Sequence, residues 1–125
     1  MKNKISIIVG GTGQLGISLA KLLLKKNYKV FITTRNLKLA KKKVPFTHKN
    51  LKLKKLNILD VKEIKNLINK INPNQIFYFA GQSSPLLSFR ANKITYSSNF
   101  EGCKNFLEVI FKIKSKCKFV NASSS

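Results

Sequence analysis

Gly10, Gly13 and Gly16 stand at the spacing G-x-x-G-x-x-G, within Gly10-Gly11-Thr12-Gly13-Gln14-Leu15-Gly16. The apolar run Ile5 to Val9 precedes them, and an amphipathic run from Leu15 to Lys26 follows. A glycine turn between a strand and a helix is suited to binding a pyrophosphate. Gly10 lets the chain turn sharply at the strand end. Gly13 lets backbone N–H groups approach the anion, and Gly16 lets the helix lie close to the sheet. The helix N-terminus adds unpaired N–H groups and the positive end of its dipole. A tight turn without a ligand would use glycines too. The context favours the ligand, because a buried-type strand comes before and a second strand follows at βαβ distance.

The next residues bear on which dinucleotide would fit. Folds that take NAD place an acid about twenty residues past the glycines, on the ribose 2′-hydroxyl. Here that stretch reads Thr33-Thr34-Arg35-Asn36. The acid is absent, and a guanidinium suits a 2′-phosphate. NADP is therefore expected over NAD, the other reading of Arg35 being an ordinary surface residue. Lys41, Lys42 and Lys43 add field if their helix points them that way. Asn57 is placed to bond the adenine amino edge, and Ile58 to lie against the ring. Asp60 is better read as a helix cap. Phe79, Ala80, Gly81 and Gln82 continue a later strand, and small residues there admit the nicotinamide ribose. Ser83 and Ser84 are candidate sugar or phosphate ligands, or part of a plain loop.

These residues need a frame to bring them together. Apolar patterning predicts strands at Ile5–Val9, Lys29–Thr34, Leu51–Leu56, Gln75–Phe79 and Lys118–Asn121. Helices are expected at Gln14–Lys26, Leu37–Lys43, Val61–Ile71 and about Tyr96–Lys114. Asp60 and Glu63 have the spacing of a capping box, and Asn72-Pro73 ends that helix. Alternating strands and helices imply a parallel sheet covered on both faces. Right-handed crossovers order the strands 3-2-1-4-5, a doubly wound α/β fold of Rossmann type. The ligand crevice then lies where the first and fourth strands diverge. No repeat, linker or boundary divides the chain, so residues 1–125 read as one dinucleotide-binding domain.

Composition narrows the classes. The chain has 125 residues, 43% of them hydrophobic, enough for one core. No apolar run approaches a membrane span. The N-terminus carries no signal-peptide pattern, and a cytoplasmic location is expected. Cys103 and Cys117 cannot build a multi-bridge framework and read as buried free thiols. His48 is the only histidine, with no cysteine or carboxylate cluster beside it, so no metal site is expected. The net charge is +21, from 25 basic and 4 acidic residues. All the basic residues but Arg35 and Arg90 are lysine, spread over every segment. Sequence-specific nucleic-acid readers lean on arginine. Non-specific adhesion to polyanions at low salt is expected, and specific nucleic-acid recognition is not.

The chain resembles the N-terminal part of an extended short-chain dehydrogenase/reductase, and more closely the GDP-mannose 4,6-dehydratase family. The resemblance rests on Gly10 to Gln14, Leu56 to Asp60, and Ile76 to Ser84 with Gln82-Ser83. It continues through Ser88-Phe89, Thr95, Asn99, Gly102, Phe106-Leu107-Glu108 and Ala122 to Ser125. Val9, Leu15, Asn57, Ser84 and Ile94 depart from the family's usual Thr, Asp, Asp, His and Tyr. The resemblance implies NADP-dependent internal hydride transfer and loss of water from a nucleotide sugar such as GDP-mannose. The product would be a 4-keto-6-deoxy sugar nucleotide. It implies that Ser124 orients the sugar 4-hydroxyl, with a carboxylate two residues on and a later Tyr-x-x-x-Lys pair as base. None of Tyr28, Tyr78 and Tyr96 begins such a pair, so these residues alone are expected not to turn over substrate. A homo-oligomer is possible for a longer form. The other readings are part of a sister nucleotide-sugar epimerase or reductase, and a stand-alone NADP-binding or sensing module.

Overall fold

The computed structural model describes residues 4–10, 13–79 and 89–121, with the backbone alone over 89–100. The elements run β1 (Ile5–Val9), α1 (Gln14–Lys25), β2 (Lys29–Thr34), α2 (Leu37–Lys43), β3 (Leu51–Lys55), α3 (Val61–Ile71), β4 (Gln75–Tyr78), α4 (Phe89–Lys112) and β5 (Lys118–Asn121). The five strands form one sheet in the order β3-β2-β1-β4-β5, and every pairing is parallel. This is the expected doubly wound order. The sequence boundaries hold to within a residue or two, except at α4. That helix begins at Phe89 rather than near Tyr96. Nothing between the two positions is glycine or proline, so no residue there stops a helix from extending.

Alternation along the strands sends successive side chains to opposite faces. Ile7 and Val9 of β1 join Ile76 and Tyr78 of β4, Ile64 and Ile68 of α3, and Phe106 and Val109 of α4. Ile8 lies on the other face with Val30 and Ile32 of β2 and Ala20, Leu23 and Leu24 of α1. The buried positions of α1, Gly16, Ala20, Leu23 and Leu24, recur at helical spacing and form its sheet-facing stripe. Tyr78, Phe106 and Phe119 form an aromatic trio, with ring centroids 5.8 to 6.1 Å apart. Asn74 joins three strands at the N-terminal edge. Its N–H donates to Ile5 O, its Oδ1 accepts from Ile5 N–H, and its carbonyl accepts from Lys118 N–H.

Helix ends are set by side chains of known capping type. Asn36 Oδ1 accepts from Leu39 N–H at the start of α2. Asp60 accepts from Lys62 and Glu63 N–H at the start of α3. The reciprocal half of the expected capping box does not form. Asp60 N–H donates instead to Asn57 O, and Glu63 Oε1 accepts from Asn57 N–H at 3.5 Å. Asn27, Asn72 and Lys114 end α1, α3 and α4 in the left-handed region. The two cysteines are free and half-buried, less enclosed than the sequence suggests. No helix of the described residues is long and apolar enough to cross a membrane.

At Gly102, α4 lies tightly against Tyr78 of β4 and Ile58. A Cβ there would meet Tyr78 Oη and, at 2.6 Å, Ile58 Cδ1. Alanine gains about 1 kcal/mol of helix propensity, but overpacking a core costs about 1–3 kcal/mol. Tyr78 is fully enclosed and wedged against Phe106 and Phe119, so the clash is expected to win. Gly102→Ala should therefore lower unfolding stability, by up to about 2 kcal/mol, in a urea titration. An unchanged or raised midpoint would contradict this packing.

Candidate functional site

The sheet register decides what can share a site. Val9 is level with Thr33 of β2 and with Tyr78 of β4, and Thr34 is level with Lys55 of β3. The ladder runs one step further: Gly10 N–H donates to Thr33 O, Leu56 N–H to Thr34 O and Phe79 N–H to Val9 O. Gly10, Arg35 and Asn57 therefore leave adjacent strand ends at one edge of the sheet. This is the C-terminal edge, where crossovers diverge on either side of β1 and open sheets hold their ligands.

Gly10 has φ 72°, a conformation that side chains resist, so the turn itself requires a glycine there. Gly13 differs. It is the N-cap of α1 with φ −80°, which any residue adopts, and a Cβ on it would meet no atom of the described residues within 4 Å. Nothing among the described residues needs glycine at this place, but a ligand close to the backbone would. No side chain among the described residues caps α1, in contrast to Asn36 on α2 and Asp60 on α3. Gly13, Gln14 and Leu15 are exposed, and Leu15 keeps 60% of its surface in solvent. The first turn of α1 therefore carries N–H groups that no described side chain caps, which fits a phosphate-bearing group.

Arg35 is exposed at the turn between β2 and α2. Thr34 Oγ1 accepts from Asn36 N–H and donates to Asn36 O, which fixes the turn around it. Lys41, Lys42 and Lys43 occupy the last turn of α2, away from Arg35. They complement the negative end of the helix dipole, and Lys38 in the first turn is the nearer lysine in sequence. Asn57 is exposed just beyond β3, and its Oδ1 accepts from Leu59 N–H at 3.0 Å. Ile58 is partly buried, with its tip against Gly102, and its carbonyl accepts from Asn105 Nδ2. Phe79 packs with the cluster on the α1 face. Gly11, Thr12, Ala80, Gly81, Gln82, Ser83, Ser84 and Ser124 lie outside the described residues. The contacts from α4 to Ile58 were not foreseeable from spacing, because they join residues far apart in sequence. No group of three His, Cys, Asp or Glu side chains among the described residues could hold a metal ion.

Beneath the edge, burial pushes the Tyr78 hydroxyl well above its ordinary value, and the neighbouring Cys103 adds to the rise. Burial also raises the Cys103 thiol, whose Sγ accepts from Asn121 Nδ2 at 3.4 Å. Tyr78 is thus a neutral, structural tyrosine at neutral pH.

Known proteins resemble this chain in sequence and in fold. A sequence model of the family described as GDP-mannose 4,6 dehydratase matches residues 7–125. GDP-mannose 4,6-dehydratase of Vibrio cholerae serotype O1 is 29% identical, over the whole of this chain and 36% of its own length. The chain thus spans about a third of the length of the curated relatives it matches. In structure, the Bordetella bronchiseptica enzyme WbmH, solved with NAD+, aligns with a TM-score of 0.71 at 24% identity, over 91% of this chain and 37% of its own. A variant of ElxO with NADPH bound aligns with a TM-score of 0.77 at 24% identity, over 98% of this chain and 56% of its own. These two likenesses establish a shared fold.

The raised groups predict a pH dependence. Folded Tyr78 and Cys103 stay neutral where the unfolded chain ionises, from the ordinary values of 9.0 and 10.0 upward. Their contribution to stability is complete below those values and is lost as pH rises past them. Urea midpoints from pH 7 to 10.5 should fall above about pH 9, and less steeply in the double variant Tyr78→Phe, Cys103→Ser. Equal slopes would contradict the assignment.

Proposed function

This chain belongs to the GDP-mannose 4,6 dehydratase family, and on that premise we propose that residues 1–125 are its NADP-holding part. The observation that carries the reading is Gly13. Among the described residues no packing contact requires the glycine and no side chain caps the helix start where it stands, on the edge to which Gly10, Arg35 and Asn57 also belong. A dinucleotide fits that combination. Its pyrophosphate would take the first N–H groups of α1, with Gly11 and Thr12 in the same loop. The adenosine half would extend across the ends of β2 and β3. The nicotinamide half would extend toward the end of β4 and the segment Ala80 to Gln82. The two structural neighbours solved with NAD+ and NADPH support a nicotinamide cofactor of this shape.

Arg35 favours the phosphorylated form. It is held out in solvent by the Thr34–Asn36 turn, and no acid precedes Asp60 in the sequence to meet a free 2′-hydroxyl. Its planar fork can make paired bonds to a phosphate.

The substrate on this reading is a nucleotide sugar, GDP-mannose, by kinship with the Vibrio cholerae enzyme. Bound NADP supplies a hydride acceptor that can later return the hydride. Ser124 would orient the sugar 4-hydroxyl, and Ser83 and Ser84 would line the sugar side. Gly16 would keep α1 close to the sheet, and the small residues after Phe79 would leave room for the nicotinamide ribose. These 125 residues hold no Tyr-x-x-x-Lys pair, so they provide the cofactor half of the chemistry and not its base.

Two substitutions test the reading by NADPH fluorescence titration. Gly13→Val fits the fold, because its φ is ordinary and its Cβ meets nothing, yet its side chain would occupy the pyrophosphate's space. It should abolish NADPH binding and leave the thermal midpoint in place. Arg35→Ala should weaken NADPH about tenfold to a hundredfold, from the loss of about 1.5–3 kcal/mol, and leave NADH unchanged. NADPH binding by Gly13→Val as tight as the parent's would overturn the proposal.

A further inference from the structure

Among the described residues β3 is the outermost strand of the sheet and pairs with β2 alone. The ladder fixes which backbone groups it leaves over. Val30 N–H donates to Asn50 O, and Leu56 N–H donates to Thr34 O. Strand residues turn alternately to one side and the other, so the even positions between these bonds face β2. Leu53 and Lys55 therefore turn their N–H and C=O outward, and no hydrogen bond from a described residue reaches those groups. The side chains alternate as well, along Leu51-Lys52-Leu53-Lys54-Lys55. Leu51 and Leu53 pack partly against the α1-face cluster, and Lys52 and Lys54 lie on the opposite face. Residues 1–59 hold fourteen lysines and Arg35 and no acid. The nearest acids in sequence, Asp60 and Glu63, accept backbone N–H groups at the start of α3 and in the turn before it.

We propose that β3 takes up, by strand addition, an extended segment of a partner protein in which acidic and apolar residues alternate. The segment's backbone meets the outward N–H and C=O groups of Leu53 and Lys55. Its acids lie beside Lys52 and Lys54, and its apolar side chains continue the face of Leu51 and Leu53. Opposite charges and apolar pairs across strands both stabilise such a pairing. Two other occupants fit less well. A second copy of β3 would set lysine against lysine, and lysines on an outer strand prevent self-pairing in this way. A phosphate backbone carries acceptors and would leave the outward carbonyls unmet. The surface lies along the side of the sheet and does not depend on the dinucleotide reading.

The probe is a synthetic peptide of alternating glutamate and valine. It is titrated into the 15N-labelled full chain at about 0.15 M salt, where long-range attraction between exposed charges is screened. Binding should slow hydrogen exchange at the Leu53 and Lys55 amides by about tenfold or more, and change Lys52 and Lys54, already bonded to β2, far less. The same peptide with every amide N-methylated keeps its charge but cannot donate to β3, and should bind about tenfold more weakly. Lys52→Glu replaces an attraction by a repulsion and should weaken the unmodified peptide about threefold to tenfold. Lys52 is exposed, so the thermal midpoint should stay in place. No saturable binding, equal affinity for the N-methylated peptide, or unchanged exchange at Leu53 and Lys55 would overturn the inference. Displacement of the peptide by a single-stranded RNA of equal charge at equal concentration would mark a plain polyanion surface and overturn it too.

Discussion

The first turn of a helix carries N–H groups that the helix cannot satisfy, and the C-terminal edge of this protein is arranged around one such turn. In α2 and α3 the side chains of Asn36 and Asp60 take up some of those donors. In α1 the N-cap is Gly13, which has no side chain to offer. The donors of α1 stand at the point where the sheet sends one crossover toward β2 and another toward β4. That placement follows from β1 lying at the centre of a parallel sheet with neighbours on both sides. Gly10, at φ 72°, lets the chain leave β1 steeply enough to start α1 above the strand end. Two glycines three residues apart thus have separate physical reasons. One serves the backbone, and the other leaves space that no described residue fills.

The core supplies the rigidity this edge needs. Val9 and Tyr78 are level with each other and both buried, so the ends of β1 and β4 cannot shift independently. Tyr78 carries that constraint to α4 through Phe106, Phe119 and the close approach at Gly102. Through Ile58, α4 also braces the turn that presents Asn57, and Asn105 adds a hydrogen bond to the Ile58 carbonyl. The exposed residues of the edge are therefore held by buried contacts on the α3–α4 face.

Much of this was legible in the sequence, for identifiable reasons. Strands buried on both faces and amphipathic helices alternate, and that pattern fixes the strand order once crossovers are right-handed. Gly10 marks the turn because few other residues tolerate its backbone geometry. What escaped prediction depends on contacts between distant residues or on the choice of one atom over another. The start of α4 at Phe89 lies in a polar stretch with no apolar stripe to reveal it. Gly102 reads as an unremarked helix glycine until Tyr78 and Ile58 arrive from other elements. Asn57 was legible as a residue just beyond β3. The bond that its oxygen accepts from Leu59 N–H was not readable, because it depends on how the turn closes. Glu63 has capping-box spacing, yet it serves Asn57 because Asp60 N–H is already taken by Asn57 O.

The most direct measurement is an amide chemical-shift titration of the 15N-labelled chain with NADP+ at moderate salt. Saturable shifts at Gly10, Gly13, Gln14, Leu15, Arg35 and Asn57, with Asn72, Asn74 and Ser115 at the opposite edge unmoved, are the predicted result. Shifts scattered over the lysines of α2 and β3 and abolished by added salt would mark a non-specific polyanion effect, and would contradict a dinucleotide site at the C-terminal edge.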